Sequence, residues 1–128
     1  MNPEEVLKDI FGYTNFRPGQ KQVIDLVLKK QNVLAVMPTG GGKSMCYQIP
    51  ALINSGVTLV ISPLISLMKD QIDNLKQNGI NAAALNSTTP QEEVNPILRQ
   101  AYEGKIKLIY ITSERLAIDY FRYQLNFL

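Results

Sequence analysis

The spacing of apolar positions changes along the chain and divides it into predicted strands and helices. Four short, largely apolar runs have the length of strands, at 33–37, 58–61, 82–85 and 107–111. Runs of this length, bounded by polar residues and glycine, are typical of strands that are buried on both faces of a parallel sheet.

Helical spacing and capping residues predict five helices around these strands. Asn2 and Pro3 precede two acidic residues, which favours a helix start, so the first helix is predicted to run to Ile10. The other helices are predicted at 18–30, 43–54, 65–78 and 90–102. A capping box at 89–92 favours the last of them, and Pro96 predicts that this helix is kinked or starts again there.

Strand and helix therefore alternate, which predicts an α/β fold: a parallel sheet with flanking helices and right-handed crossovers. Ligands of such sheets bind at the carboxyl ends of the strands. Four polar segments follow the predicted strands, so they are expected to converge at that edge: 38–44, 62–66, 86–88 and 112–115.

Composition limits the classes of function. With 128 residues and 45% hydrophobic residues, the chain is predicted to form one compact domain. A net charge of +2 is too small to hold a nucleic acid by charge alone, so such a partner has to be argued from particular residues. One cysteine and no histidine exclude an internal disulfide and the usual zinc site. The acidic N-terminus and the lack of a long apolar run predict no membrane span and a reducing, cytoplasmic setting.

A glycine-rich segment with the chemistry of a phosphate-binding loop follows the first predicted strand. Glycines let successive backbone N–H groups point at phosphate oxygens, and the next helix adds its positive N-terminus. Lys43 supplies a charge for the β and γ phosphates and is the predicted catalytic residue, and the Ser44 hydroxyl is the predicted Mg²⁺ ligand. The strict pattern has glycine where this chain has Met37, and a turn that binds nothing is the alternative. The predicted ATP-binding residues of the segment are Pro38, Thr39, Gly40, Gly41, Gly42, Lys43, Ser44 and Met45.

The segment 37–51 resembles motif I of the RecQ family of superfamily 2 DNA helicases, in which methionine is usual at the first position. The segment 11–20 resembles motif 0 of the same family. This resemblance implies that Gln20 hydrogen-bonds the adenine edge, with Tyr13 and Arg17 beside it, and so selects ATP. A glutamine amide has the donor and the acceptor that adenine requires.

The residues of this second segment have plainer explanations as well. Gln20 is also explained as a solvated residue of the second helix. Tyr13 and Phe16 are also explained as aromatic residues of the core.

Two further segments, 62–71 and 110–116, resemble motifs Ia and Ib of the RecQ family, which contact the backbone of single-stranded DNA. Contacts of this kind carry no base information, as a translocating motor requires. The resemblance implies DNA contacts by Ser62, Pro63, Leu64, Ser66, Lys69, Thr112, Ser113 and Arg115.

Simpler explanations exist for three of these features. The two basic residues are also explained as part of a solvated helix face, or by ion pairs at helical spacing, for instance Lys69 with Asp73 and Arg115 with Asp119. The segment 86–88 also matches the family, and a helix cap explains it equally well.

The resemblance implies a RecA-like, P-loop NTPase fold, with residues 1–128 as part of the first motor domain of an ATP-dependent 3′ to 5′ DNA helicase. Such a helicase binds Mg-ATP and unwinds duplex DNA in repair and recombination, and in a bacterium it is associated with the nucleoid. The Asp-Glu-Ala-His motif and the second motor, zinc-binding and winged-helix domains are not in this sequence, so zinc is expected only in other parts of a parental protein.

The chain alone is expected not to hydrolyse ATP. Asp70 and Glu114 are the only acidic residues of the strand-end motifs, and neither directly follows a buried strand as a metal-binding acid of this fold does. Two alternatives remain open at this point. One is a truncated, non-catalytic module that binds nucleotide or single-stranded DNA. The other is a different phosphate-loop enzyme, such as a small kinase.

Overall fold

The computed structural model describes residues 1–38 and 42–128, and the chain divides into two compact units, residues 1–55 and residues 56–128. The two units are described separately below. Each contains one of the two groups of predicted site residues.

The described residues of the first unit form three helices: α1 (Pro3–Asp9), α2 (Gln20–Leu28) and α3 (Met45–Ile53). The predicted start of α1 is confirmed, because Asn2 Oδ1 accepts a hydrogen bond of 2.9 Å from the backbone N–H of Glu5. The helices pack on a core formed by Val6, Leu7, Ile24 and Ile49.

The predicted strand at 33–37 is wrong. These residues form no strand, and the side chains of Leu34 and Val36 are 93% and 91% exposed. A strand requires a neighbour for its backbone N–H and C=O groups, and an apolar run specifies burial without specifying that neighbour. In the described part of the chain this run has no ladder partner.

The second unit contains the parallel sheet and confirms the predicted α/β class. Its elements are β1 (Thr58–Ile61), α4 (Ile65–Gln77), β2 (Ala82–Leu85), α5 (Gln91–Tyr102), β3 (Leu108–Ile111), α6 (Ser113–Leu116) and α7 (Asp119–Leu125). The strand order is β1-β3-β2, and both pairs are parallel. Thr58 and Ala82 both pair with Leu108, so the three strands start at the same level.

The central strand β3 is buried at all four positions. Leu85, Ile109 and Ile111 pack with Val94 of α5 and Phe121 of α7 in one core cluster. An unbroken apolar run fits this position because both of its faces are covered.

The predicted capping box of α5 is wrong, and so is a second helix start at Pro96, whereas the kink at Pro96 stays a prediction. The helix begins after Pro90 without a side-chain cap, and Thr89 instead donates its hydroxyl proton to the backbone carbonyl of Ala84 at 3.0 Å. The helix also continues through Pro96 without a second start. Serine and threonine hydroxyls can cap a helix or bond other nearby backbone groups. Here the Thr89 hydroxyl bonds the end of β2 and not the start of α5.

Candidate functional site

The first unit contains a pocket of about 160 Å³ that joins the two predicted nucleotide-binding segments. Six of its lining residues were predicted from the sequence: Tyr13, Arg17, Gln20, Gly42, Ser44 and Met45. Two were missed, Leu7 and Asn15. Asn15 lies in the ten-residue segment that carries Tyr13 and Arg17, so its position was a usable signal. Leu7 belongs to the apolar face of α1, where no sequence signal separates it from a core residue.

Gln20 connects the two segments. It is the first residue of α2 and is 3% exposed. Its Oε1 accepts a hydrogen bond of 2.8 Å from the backbone N–H of Arg17, and its Nε2 donates one of 2.9 Å to the carbonyl of Gly42. The explanation of Gln20 as a solvated residue is therefore wrong. A glutamine amide has two donor and two acceptor positions, so one of each remains for a ligand in the pocket.

Gly42 lies against this amide. Its φ is +78°, a backbone conformation that favours glycine, and a Cβ atom at this position would collide with Gln20 Nε2. The contact between the two segments therefore requires glycine at position 42.

The two aromatic residues of the first segment have different environments. Phe16 is partly buried against the core of the first unit, as the plainer explanation predicts. Tyr13 lines the pocket and is 54% exposed, so it is not a core residue. An exposed ring at the mouth of a pocket is available to stack on a flat ligand.

The start of α3 carries the remaining groups of the predicted phosphate loop. Ser44 is the N-cap residue and lines the pocket, whereas Lys43 is exposed and does not. Backbone N–H groups at a helix N-terminus attract anions. Pro38 is also exposed and outside the pocket lining. The predicted residues Thr39, Gly40 and Gly41 lie outside the described residues.

The side chains at the start of α3 fit Mg²⁺ only together with a nucleotide. In residues 1–38 and 42–128, no group of three or more cysteine or acidic side chains is placed to hold a metal ion. Magnesium is commonly held by phosphates and water with few protein ligands, and Ser44 is the hydroxyl available for that role.

Cys46, in the first turn of α3, is buried, and its Sγ lies 3.9 Å from Met37 Sδ. This burial raises the pKa of the thiol. Cys46 therefore stays protonated at neutral pH and packs against Met37.

The second unit contains a groove of about 440 Å³ at the carboxyl ends of the strands. Three of its lining residues were predicted to contact DNA: Pro63, Thr112 and Arg115. Four were not: Ile65, Ser87, Glu114 and Ile118. Ser87 lies in the segment 86–88, which matched the helicase pattern, so this match was a usable signal for it.

The hydroxyls of the first polar residues at these strand ends stabilise the local backbone. Ser62 Oγ accepts a hydrogen bond of 3.2 Å from the N–H of Leu64, and Thr112 Oγ1 accepts one of 3.4 Å from the N–H of Arg115. Thr112 is the N-cap of α6 and is buried. These two residues shape the turns that line the groove.

The other predicted DNA contacts lie outside the lining of the groove. Four are exposed residues on or near α4 and α6, Leu64, Ser66, Lys69 and Ser113, and the fifth is the half-buried Ser62. The ion-pair explanation for Arg115 is wrong, because Asp119 pairs with Arg122 instead. Among the described residues Lys69 has no ion pair with Asp73 either.

No helix in the described ranges has the length and apolar character needed to cross a membrane.

Known proteins share both the sequence and the fold. The model of the DEAD/DEAH box helicase family matches residues 17–127. The chain is 54% identical over 121 residues to the ATP-dependent DNA helicase RecQ of Bacillus subtilis, covering 93% of this chain and 20% of that protein. It is 46% identical over 116 residues to the ATP-dependent DNA helicase Q1 of Mus musculus, covering 89% and 18%.

A hypothetical ATP-dependent RNA helicase from Sulfolobus tokodaii has a similar crystal structure, with a TM-score of 0.74 and 25% identity, covering 97% of this chain and 38% of that one. This likeness confirms the RecA-like helicase fold, and the relatives confirm the resemblance to RecQ. The chain spans 20% of the length of the first of these relatives. A family model that matches 111 of 128 residues identifies the chain as a member of the DEAD/DEAH box helicase family.

Proposed function

We propose that this chain supplies the ATP-binding site and part of the single-stranded DNA surface of an ATP-dependent 3′ to 5′ DNA helicase that acts in the cytoplasm on DNA repair and recombination substrates. The relatives that carry this proposal are named ATP-dependent DNA helicases. The first unit binds Mg-ATP, and the groove of the second unit binds the DNA backbone.

One observation carries the nucleotide half of this proposal. The hydrogen bond from Gln20 Nε2 to the Gly42 carbonyl joins two segments that are 22 residues apart in the chain. It brings a base-reading amide to the edge of the glycine-rich segment that precedes Lys43 and Ser44. Adenine then lies at Tyr13, Arg17 and Gln20, and the phosphates lie at the N-terminus of α3.

The residues of the groove support the DNA half. The hydroxyl residues Ser87 and Thr112 line it together with Arg115, Glu114 and apolar side chains, and hydroxyl groups bind a nucleic-acid backbone without reading bases. A net charge of +2 makes this binding weak at physiological salt.

The chain by itself is proposed to bind ATP without turning it over. The residues that follow β1, β2 and β3 are Ser62, Asn86 and Thr112, so none of these strands ends in a carboxylate that would complete a magnesium site. This feature favours the non-catalytic binding module as the second candidate function. A steady, magnesium-dependent release of phosphate by the pure chain would contradict it.

Titration of a fluorescent ATP analogue tests the nucleotide site. Lys43→Ala and Gln20→Ala are each expected to weaken binding roughly ten- to a hundredfold. Lys43→Ala loses a charge contact to phosphate, and Gln20→Ala loses the hydrogen bonds of a buried amide. Lys29→Ala is the matched control, because Lys29 lies at the opposite end of α2 from Gln20. Its affinity is expected to equal that of the unaltered chain.

Two results would refute the proposed nucleotide site. One is the absence of binding by a folded, unaltered chain. The other is an equal loss of affinity in Lys29→Ala and Lys43→Ala, which would mean that nucleotide affinity depends on the net charge of the chain and not on Lys43 in particular.

A further inference from the structure

Arg115 is bonded inside the second unit in a way that a free phosphate contact would not require. It lies in α6, and its Nη2 donates a hydrogen bond of 2.9 Å to the backbone carbonyl of Asn86. Its guanidinium carbon also lies 5.8 Å from the centre of the Phe121 ring in α7. One side chain thus connects α6, α7 and the loop between β2 and α5.

The loop that Arg115 contacts is organised around Asn86. Asn86 is 4% exposed, and its Oδ1 accepts hydrogen bonds from the backbone N–H and the hydroxyl of Thr88, at 2.8 and 2.6 Å. Its backbone N–H donates to Thr89 Oγ1 at 3.1 Å, and its carbonyl accepts from the N–H of Thr89 at 3.1 Å. The Asn86 carbonyl is therefore shared by the loop and by Arg115.

These bonds fix the position of Ser87. Ser87 lies between Asn86 and Thr88, is exposed, and lines the groove together with Arg115. Because the Asn86 side chain holds Thr88 in place, the Ser87 backbone between them has a defined place on the groove wall.

We propose that Arg115 is a positioning residue for single-stranded DNA: it holds the Asn86 carbonyl and thereby presents Ser87 to a phosphate, while its own charge is directed at Asn86 and Phe121. This inference rests on the proposed DNA-binding role of the groove. It assigns to Ser87 the phosphate contact that the sequence assigned to Arg115.

The first test is the affinity of the full chain for a fluorescent oligothymidine across a series of salt concentrations. A residue that contacts phosphate contributes about 0.7 to the slope of log affinity against log salt for a single strand. Arg115→Ala is expected to lower the affinity about threefold, as much as the loss of the one neutral hydrogen bond from Ser87 to phosphate, and to leave the slope unchanged. Arg122→Ala is the control, because it removes an exposed arginine of the same unit that does not line the groove.

Two further variants separate positioning from charge. Arg115→Lys keeps the charge and loses the planar, forked group, so it is expected to bind as weakly as Arg115→Ala. Ser87→Ala is expected to lose about threefold, the effect of one neutral hydrogen bond, and the double variant Ser87→Ala with Arg115→Ala is expected to bind no more weakly than Arg115→Ala alone.

A measurement without DNA tests the loop directly. Arg115→Ala is expected to speed hydrogen exchange at the amides of Thr88 and Thr89, which are bonded to Asn86. The Arg122→Ala variant is expected to leave these two exchange rates unchanged.

Each opposite result has a distinct meaning. A slope reduced by about 0.7 in Arg115→Ala, or full recovery in Arg115→Lys, overturns the positioning role and leaves the DNA groove intact. Additive losses in the double variant, or unchanged exchange at Thr88 and Thr89, also overturn it. If the unaltered chain does not bind oligothymidine, the proposed DNA role itself is wrong, and the positioning role fails with it.

Discussion

At the scale of single residues, the nucleotide pocket depends on a glycine, because position 42 has no room for a Cβ atom. Gly42 leaves room for the Gln20 amide and has a positive φ. Replacing glycine by alanine is usually a small change. At position 42 it would strain the backbone, because φ is positive, and would displace the buried Gln20 amide.

Gly42→Ala is therefore expected to break the bond between Gln20 and Gly42 and to weaken binding of the fluorescent ATP analogue about tenfold. Gly12→Ala is the matched control, because Gly12 also has a positive φ, +80°, and a Cβ there meets nothing within 4 Å. Both variants carry about 1–2 kcal/mol of backbone strain, so only their difference reports the contact with Gln20. Equal affinities in the two variants would show that the contact is irrelevant to nucleotide binding.

Cys46 gives a prediction about pH. Cysteines in the first turn of a helix often have a lowered pKa, but burial raises the pKa of Cys46. The native chain is expected to react with iodoacetamide more slowly than the urea-unfolded chain at the same alkaline pH. Since the folded pKa is the higher one, the thiol's contribution to stability is complete below the unfolded pKa and is lost as pH rises through the folded pKa. Equal labelling rates in the two states would contradict this.

At the scale of elements, the sequence predicts those parts of the fold that depend on local signals. The strands at 58–61 and 82–85 are confirmed at both ends, and β3 begins one residue later than predicted. The helices are confirmed to within two residues at each end. Short apolar runs and helical spacing are properties of the segments themselves, which explains this success.

Features that depend on distant partners could not be predicted. The run at 33–37 has the composition of a strand but no ladder partner in the described residues. Thr89 has the sequence of a cap but bonds the end of β2. For the site, the sequence supplied Gln20 and Gly42 separately, whereas the hydrogen bond between them depends on how α2 and the segment before α3 pack.

The exposed run at 33–37 predicts self-association. Leu34 and Val36 present apolar side chains on a segment whose backbone is not in a sheet, and such segments pair with other chains. Replacing both residues by lysine is expected to reduce the weight-average sedimentation coefficient measured by sedimentation velocity at high protein concentration. The control is Gln31→Lys with Asn32→Lys, which adds the same two charges at exposed polar positions and keeps the apolar side chains. A similar reduction in the control would attribute the effect to charge.

At the scale of the whole molecule, each of the two proposed binding functions lies within one compact unit. The pocket that joins Gln20 to Gly42 is formed by residues of 1–55, and the groove at Ser87 and Arg115 by residues of 56–128. Variants in one unit can therefore be used as controls for the ligand of the other. Lys43→Ala should leave oligothymidine affinity unchanged, and Arg115→Ala should leave nucleotide affinity unchanged.

The strand order β1-β3-β2 also determines when the sheet can form during synthesis. β1 and β2 leave the ribosome first, but they do not pair with each other, because the strand that both of them contact begins at Leu108. Leu108, the partner of both strand starts, is synthesised 50 residues after Thr58 and 26 residues after Ala82. A nascent chain that ends before β3 therefore has two strands and no native sheet. The sheet therefore forms only after β3 has been synthesised. Until then the backbone groups of β1 and β2 are unpaired and accessible to a chaperone.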